Sequence, residues 1–448
     1  MRNLSLQAAV VTVSLIVTAC GALPFHTSQN QALCDEASLN AISSSALADC
    51  RQASLRIEPT LIPVSRARNV FTESDSDLPD VFVGLALSGG GSRAANFALA
   101  TMQQLEELGL MRHVTAISAT SGGALAGAYY ALEGPEVDWP AARELMATNF
   151  LHKWAVRNLM PHNLFRTSFT HADRSDMMAE VFDEVLFRKA TYKDLGDLGS
   201  GRPILITNAT TSSGGGFAFT DKNFQLHLSS RLDTYPLSHA VMASAAFPGV
   251  FNSVTLTRYT SIPRPPSSSF LGRPRPLSYT HLIDGGPSDN LGLQALLPLA
   301  RTHNKWKEAR SNSDTPYGCF LIIVDAYPSG TPSRNARNPD PRRAYDHLID
   351  FNFMEAFDTL LLNRRSQLLG YTGLGSAYNP RQIGGRIALP GLAQESANPT
   401  KVLVDFDVPK LALRSLPGEN FYTRIRPVIK EPSFDDVDPE DFWPYALD

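Results

Sequence analysis

Between residues 81 and 325, short apolar runs alternate with longer stretches in which apolar residues recur at helical spacing. This alternation is typical of βαβ units, in which helices join parallel strands and cover the sheet. The apolar runs predict strands at Val81–Leu87, Val114–Ala119, Ile204–Asn208, Phe217–Thr220, Leu282–Asp284 and Cys319–Asp325. The helical stretches are Arg93–Leu108, Gly122–Leu132, Ala141–Asn158, Asp176–Phe187, Ser238–Ala246 and Leu291–Arg301. We therefore expect an α/β fold built on a central, mostly parallel sheet.

The sequence on either side of this region is less regular. Residues 21–79 are rich in Ser, Ala, Asn and Asp and indicate an irregular arm. Residues 261–278 are rich in Pro, Arg and Ser, which predicts an inserted loop. Beyond Asp325 the pattern predicts an amphipathic helix at Ala344–Leu369, a strand at Lys401–Asp407 and an acidic tail.

The N-terminus has the pattern of an export signal. Arg2 precedes an apolar run from Ala8 to Val17, which is too short to span a bilayer but suits a signal peptide. The run ends in Val-Thr-Ala-Cys at Cys20, which resembles the lipobox of bacterial lipoproteins. We therefore expect acylation of Cys20 and a membrane anchor in the bacterial cell envelope, facing the periplasm or the outer membrane. Cleavage after Ala19 without acylation and an uncleaved anchor are the alternatives.

Composition narrows the class of protein. Lys and Arg total 40 against 44 Asp and Glu, so no basic excess favours nucleic acid as a partner. The histidines are scattered, and no CxxC or HExxH motif indicates a metal; we expect neither metal nor cofactor. Cys34 and Cys50 form either a disulfide or two unrelated thiols, whereas Cys319 lies in an apolar run that predicts a buried strand.

A glycine-rich segment is the first candidate for chemistry. In Val81–Arg93 an apolar strand runs through three consecutive glycines directly into a helix. Glycines leave backbone N–H groups uncovered, and the helix N-terminus adds partial positive charge, so the loop suits a phosphate or a developing oxyanion. A dinucleotide site and a plain turn are the alternatives. A second triple glycine, Gly214–Gly216, precedes a strand and predicts a hairpin turn.

Two further segments carry a hydroxyl and a carboxylate at predicted strand ends. Ser121 lies between a strand and a helix of small residues, the setting of a nucleophile on a strained turn. A helix-capping serine is the alternative. Asp284 closes a strand before two glycines, so its carboxylate is expected at the edge of the sheet where clefts form. A structural turn aspartate is the alternative for this segment taken alone.

Together, in this order, the three segments resemble the patatin-like phospholipase family, as a bacterial, lipoprotein-type member. The family has a glycine-rich oxyanion loop followed by Arg, then Gly-x-Ser-x-Gly, then Asp-Gly-Gly or Asp-Gly-Ala. The matching residues are Gly89, Gly90, Gly91, Ser92 and Arg93, then Ala119, Thr120, Ser121, Gly122 and Gly123, then Asp284, Gly285 and Gly286, with similarity also in Ser244–Phe251. Ala94 and Ala119 stand where the family usually has glycine, and their methyl groups are tolerated if φ stays negative.

The resemblance covers residues 80–330 and implies a three-layer α/β/α sandwich. It implies that Ser121 attacks an ester carbonyl and that Asp284 accepts its proton without a histidine, while the glycine-rich loop stabilises the oxyanion. The implied activity is a serine lipid acyl hydrolase, similar to phospholipase A or lysophospholipase, acting on membrane phospholipid or another acyl lipid. Two alternatives are a Ser-Asp-His triad that uses His303 or His347, and a weak or inactive envelope lipoprotein that binds lipid in the same cleft.

The composition of residues 141–166 mixes large apolar with basic side chains, which suits an interfacial lid; an ordinary amphipathic helix packed on the sheet is the alternative.

The expected organisation of the whole chain is a signal peptide at 1–19, a lipid-tethered arm at 20–79, a catalytic domain at 80–330 and a C-terminal extension at 331–448 packed on that domain.

Overall fold

The computed structural model describes residues 28–33, 81–170, 172–197, 202–259, 279–310, 318–327, 352–372 and 420–425. Outside these ranges lie the predictions for the signal peptide, Cys20, Cys34, Cys50, the 261–278 loop, His347 and a strand at 401–407. Within the described ranges, no helix combines the length and the apolar character needed to cross a bilayer.

One eight-stranded sheet organises the described residues. The strands are β1 (Gln31–Ala32), β2 (Val81–Leu87), β3 (Val114–Thr120), β4 (Ile204–Thr211), β5 (Gly216–Ala218), β6 (Ser230–Arg231), β7 (Val254–Thr257), β8 (Tyr279–Ile283), β9 (Gly318–Val324) and β10 (Asn420–Ile425). The order is β10-β9-β2-β3-β4-β8-β7, with β5 also paired to β4, while β1 and β6 form a separate ribbon. From β10 to β4 all neighbours are parallel, whereas β5, β7 and β8 add antiparallel pairs.

Helices follow most of the strands and cover the sheet. They are α1 (Gly91–Glu107), α2 (Gly122–Glu133), α3 (Trp139–Met146), α4 (Phe150–Leu159), α5 (Pro161–Phe169), α6 (Arg174–Phe182), α7 (Tyr192–Asp197), α8 (Asp221–Asn223), α9 (Leu237–Ser244), α10 (Gly286–Asp289), α11 (Leu293–Arg310) and α12 (Asn352–Thr372). A π-helical turn, Asp183–Phe187, continues α6.

The core lies on both faces of the sheet. Along β2, Leu85 and Leu87 pack with the cluster that contains α1, α2 and α9, whereas Phe82 and Ala86 pack with residues of α11 and α12. Successive side chains of a strand point to opposite faces, so a strand buried on both sides has a continuous apolar sequence. The result is a three-layer α/β/α sandwich with a central, mostly parallel sheet, which confirms the predicted fold class.

The structure divides one predicted helix and adds elements from the C-terminal region. The helix expected at 141–158 is two helices, because Asn149 caps a new start: its side-chain Oδ1 accepts a hydrogen bond from the His152 N–H at 2.8 Å. The predicted helix at 344–369 corresponds to α12. The strand β10 was not predicted, and it pairs in parallel with all of β9 at the sheet edge.

Candidate active site

Ser121 lies on a strained turn between β3 and α2. Its backbone has φ 50° and ψ −121°, a conformation that an L-residue adopts only when its surroundings hold it there. A hydrogen bond from the Ser121 N–H to Ser244 Oγ, at 2.7 Å, supplies part of that support. At Gly122, a Cβ would lie 2.0 Å from the Gly91 carbonyl oxygen, and at Gly123 it would lie 2.5 Å from that of Ser88. Only glycine lets the serine turn and the glycine-rich loop approach this closely.

Asp284 meets Ser121 across the end of the sheet. The Ser121 hydroxyl donates a hydrogen bond to Asp284 Oδ2 at 2.9 Å. The other carboxylate oxygen, Oδ1, accepts from the Gly286 N–H at 2.8 Å, which fixes the orientation of the carboxylate. The Asp284 N–H donates to the Ala246 carbonyl at 3.0 Å. The structure therefore brings together two residues that lie far apart in the sequence.

The position of Asp284 depends on an antiparallel strand. Strand β8 contacts β4 only at Thr210 and Thr211, the last residues of β4, so it approaches the parallel strands from beyond their carboxyl ends. Its own end therefore reaches the level of Thr120, which pairs with Asn208 of β4. Asp284, directly after the antiparallel strand β8, therefore lies beside Ser121, directly after the parallel strand β3.

Burial tunes the acidity of the Asp284 carboxyl group. Asp284 is 5% exposed, and desolvation raises its pKa from the ordinary 3.8 to about 6. The hydrogen bonds from the Gly286 N–H and the Ser121 hydroxyl favour the ionised form and limit that rise. Near pH 7 the carboxylate is mainly ionised, yet it is a stronger base than an exposed aspartate. A pKa close to the working pH suits a general base.

The backbone N–H groups of the glycine-rich loop differ in their hydrogen bonding. Gly90 and Gly91 have φ values of 139° and 64°, and among the described residues none accepts a hydrogen bond from their N–H groups. The Gly89 N–H, in contrast, donates to the Asn290 carbonyl at 2.9 Å. At Gly89, which was predicted within the oxyanion loop, a Cβ would lie 2.4 Å from Asn290 Oδ1, so this glycine permits the close approach of Asn290. Ser92 is the second residue of α1, directly after these glycines.

The remaining predicted loop and turn residues occupy ordinary conformations. Arg93 lies exposed in the first turn of α1. Thr120 is buried, and its hydroxyl donates to the Asp289 carbonyl at 2.8 Å. Ala94 and Ala119 are buried in α1 and β3, where φ is negative, so a methyl group is accommodated at both positions.

Two supporting residues had no predicted role, although Ser244 begins the stretch that resembles the family. Ser244 accepts from the Ser121 N–H and donates to the Asn208 carbonyl at 2.5 Å. Asp289 is buried, and its carboxylate accepts from the backbone N–H groups of Leu291 and Gln294, which caps the start of α11. The sequence Ser-Asp-Asn-Leu-Gly before a helix was a signal for this cap, but nothing in the sequence linked Ser244 to the serine turn.

The C-terminal helix α12 contacts the turn that follows Asp284. Arg364 Nε donates to the Ser288 carbonyl at 2.8 Å. A Cβ at Gly286 would lie 2.8 Å from Leu361 Cδ2, so α12 packs directly against the turn that follows Asp284. Residues beyond the predicted 80–330 domain therefore take part in shaping this site.

No described histidine contacts the Asp284 carboxylate. His303 is fully buried, with its ring 5.9 Å from that of Phe82 and its Nδ1 3.7 Å from Cys319 Sγ. Those partners lie near the starts of β2 and β9, at the opposite end of the sheet from Ser121. His281 lies within β8, where its Nδ1 and Thr255 Oγ1 are 3.0 Å apart.

Metal and thiol chemistry have no candidate group in the described part of the chain. No cluster of three or more His, Cys, Asp or Glu residues with metal-binding geometry occurs there. Cys319 has a free thiol in β9, and burial raises its pKa, which keeps the thiol protonated and inert.

An α/β sheet with a serine on a strained strand-to-helix turn is the arrangement of serine ester hydrolases. Residues 85–297 match the family model described as patatin-like phospholipase. This match supports a lipid-hydrolysing enzyme in general terms.

Comparison with solved structures gave distant similarities. Human GIVD cytosolic phospholipase A2 in complex with methyl gamma-linolenyl fluorophosphonate is 20% identical over 40% of this chain, with a TM-score of 0.25. The chain spans 28% of the length of that phospholipase. VipD from Legionella pneumophila is 12% identical over 72% of this chain and 64% of its own, with a TM-score of 0.29. A search of the curated proteins gave no match.

Proposed function

We propose that this protein is a serine lipid acyl hydrolase of the phospholipase A or lysophospholipase type, with a Ser121–Asp284 dyad. The observation that carries the proposal is the 2.9 Å hydrogen bond from Ser121 Oγ to a buried carboxylate with a raised pKa. Nucleophile and base within hydrogen-bond reach, with the base oriented by a third group, are the geometric requirement for an activated serine. Here the Gly286 N–H is that third group.

In the proposed first step, Asp284 Oδ2 takes the hydroxyl proton as Ser121 Oγ bonds to the ester carbonyl carbon. The N–H groups of Gly90 and Gly91 stabilise the resulting oxyanion. Collapse of the tetrahedral intermediate breaks the ester bond, and the departing alkoxide takes the proton from Asp284. Water then gives a proton to Asp284, attacks the acyl-Ser121 carbonyl, and releases the fatty acid while Ser121 recovers its proton.

The test is fatty-acid release from phospholipid vesicles by the full chain and four variants. We expect Ser121→Ala and Asp284→Asn each to lose activity by about 10²–10⁴-fold, since general-base catalysis alone contributes that much. The double variant should be little worse, because the two residues act as one unit. His303→Gln is the matched control and should stay within a few-fold of wild type. Equal loss in a folded His303→Gln variant would replace the dyad with a triad.

The same measurement addresses the lipid-binding alternative. Vesicle binding without fatty-acid release by folded wild-type protein would favour an inactive lipoprotein that uses the cleft only for binding. The bacterial envelope location and an acyl anchor on Cys20 are part of the proposal, supported by the N-terminal sequence alone. Mass spectrometry of the mature N-terminus tests the anchor, and an unmodified terminus would contradict it.

A further inference from the structure

Helices α4 and α5 present large apolar side chains to solvent. The apolar patch consists of Val156, Leu159, Met160, Leu164, Phe165 and Phe169, with exposed fractions between 43% and 73%. Leu159 and Phe165 are the most exposed, and the rings of Phe165 and Phe169 lie 4.4 Å apart, so neighbouring turns form one surface. Single exposed apolar residues are ordinary, but a contiguous group marks a site of interaction.

Both arginines of the same two helices pair with glutamates of a neighbouring element. Arg157 pairs with Glu184 at 2.6 Å and with Glu180 at 3.6 Å, and Arg166 pairs with Glu180 at 2.6 Å. These glutamates belong to α6 and its π-helical turn. A surface helix ordinarily buries its apolar side chains and exposes its charges. Helix α4 follows this rule only in part: Phe150 and Trp154 pack on the core, while the apolar patch remains exposed beside the paired arginines.

Charge identifies the partner of this surface. No Asp or Glu occurs from residue 145 to residue 172, although the chain as a whole carries more acidic than basic residues. Lys153, His152 and His162 are exposed on the two helices. Apolar side chains beside a cationic group suit the interface of a phospholipid bilayer, where acyl chains lie beneath phosphates. The two helices have no carboxylate of their own, and the neighbouring Glu180 and Glu184 are paired with their arginines.

The patch-bearing helices are connected to the dyad. The Trp154 ring of α4 packs against that of Phe251 at 5.3 Å, edge to face. Phe251 ends the loop after α9, in which the Ala246 carbonyl accepts the hydrogen bond from the Asp284 N–H. Val250 in the same loop is 37% exposed and adds an apolar group near this contact. A surface bound by α4 and α5 therefore lies beside the elements that hold the catalytic carboxylate.

We propose that the apolar patch docks the protein on a phospholipid bilayer, with α4 and α5 lying in the interface and Lys153 directed to lipid phosphates. The inference rests on the proposed function, because docking there would bring acyl-lipid substrates to the Ser121–Asp284 site. A second copy of the chain is the other occupant that the test distinguishes.

The binding experiment uses the full chain with Ser121→Ala, so that lipid is not consumed, and with Cys20→Ala, so that no acyl anchor contributes. Sedimentation with sucrose-loaded vesicles of phosphatidylcholine, with and without phosphatidylglycerol, measures the partition coefficient. Thermal melts confirm that every variant is folded, as expected because the leucine and phenylalanine side chains that distinguish the variants are exposed.

Two double variants in this background are compared. Leu159→Gln/Phe165→Gln removes the centre of the patch, and Leu108→Gln/Leu226→Gln removes exposed leucines located elsewhere. We expect the patch variant to partition about ten-fold or more weakly than the control, because two apolar side chains no longer leave water. The control should match the parent protein. Equal partitioning of the two variants overturns the proposal, as does a parent protein that does not bind vesicles.

A second measurement separates this proposal from the proposed function. With Ser121 intact, the patch variant should hydrolyse a soluble short-chain ester at the wild-type rate but lose about ten-fold on vesicle phospholipid. Loss of hydrolysis by the patch variant on both substrates would overturn the docking proposal. Absence of ester hydrolysis by the wild-type protein would overturn the proposed function but would not affect the vesicle-binding result. Conversion of a dimer to a monomer by the patch variant, with unchanged vesicle binding, would assign the patch to a second copy.

Discussion

Replacing Asp284 by Asn is expected to stabilise the fold while it removes activity. The folded-state pKa of this carboxyl is raised from 3.8 to about 6, so the folded protein binds its proton more tightly than the unfolded chain does. Below the pKa of the unfolded chain, Asp284 is protonated in both the folded and the unfolded state, so its ionisation does not affect the free energy of unfolding. As the pH rises through the window from about 4 to about 6, the folded state is destabilised, by about 3 kcal/mol once both states are ionised.

Asn carries no charge and so avoids this cost. Its side-chain oxygen can still accept from the Gly286 N–H while its amide donates to Ser121 Oγ, so no buried polar group is left unpaired. We expect the variant to be about 2–3 kcal/mol more stable than wild type at about pH 8 and equal to it at about pH 4. Urea unfolding followed by circular dichroism at both values measures the difference. A variant less stable than wild type at both pH values would refute a desolvated, ionised carboxylate.

The other predictions concern the same site and its C-terminal support. First, kcat/KM should fall about ten-fold per unit below about pH 6, because Asp284 accepts a proton only when ionised, and a pH–rate profile measures this. Second, Ser244→Ala should lower kcat about ten-fold with little change in KM, since the strained Ser121 turn loses its hydrogen-bond acceptor. Third, Arg365→Met should lower the free energy of unfolding by about 2 kcal/mol, because buried Asp325 loses one of two guanidinium partners, and urea unfolding measures the change.

Each of these predictions has a contradicting outcome. An acidic limb near pH 4 would mean that Asp284 is not the group whose ionisation limits the rate. A Ser244→Ala variant that raises KM alone would indicate a role in binding and not in the position of the nucleophile. Arg301→Met, on the exposed surface of α11, is the control for Arg365→Met. Equal losses in the free energy of unfolding for the two variants would contradict a stabilising role of the buried Arg365–Asp325 ion pair.

Strands buried on both faces were the most predictable part of the fold. The strand β2 was predicted to the residue, because burial on both faces requires an unbroken apolar run. The strands β7 and β10 were missed: both are short and lie at sheet edges, where one partner strand leaves a weaker pattern. The division at Asn149 was also missed, since a single side-chain cap outweighs the helical periodicity on either side of it.

The chemistry of the candidate site was predictable where local sequence determines it. A serine before two glycines and an aspartate before two glycines each have a local conformational reason, visible along the chain. The support given by Ser244 and α12 was not predictable, because those contacts join segments distant in sequence and depend on the packed fold. The hydrogen bond from the Gly89 N–H to the Asn290 carbonyl was likewise not predictable, because it joins two segments that are distant in the sequence.

The most direct test of the central claim is peptide mass spectrometry after reaction with a fluorophosphonate probe, which bonds to an activated serine oxygen. The account predicts one adduct on the peptide that contains Ser121, no adduct in Ser121→Ala, and much slower labelling in Asp284→Asn, because the hydroxyl proton then has no acceptor. His303→Gln should label as fast as wild type. Folded wild-type protein that stays unlabelled at Ser121, or that carries its adduct on another residue, would contradict the assignment of Ser121 as the nucleophile.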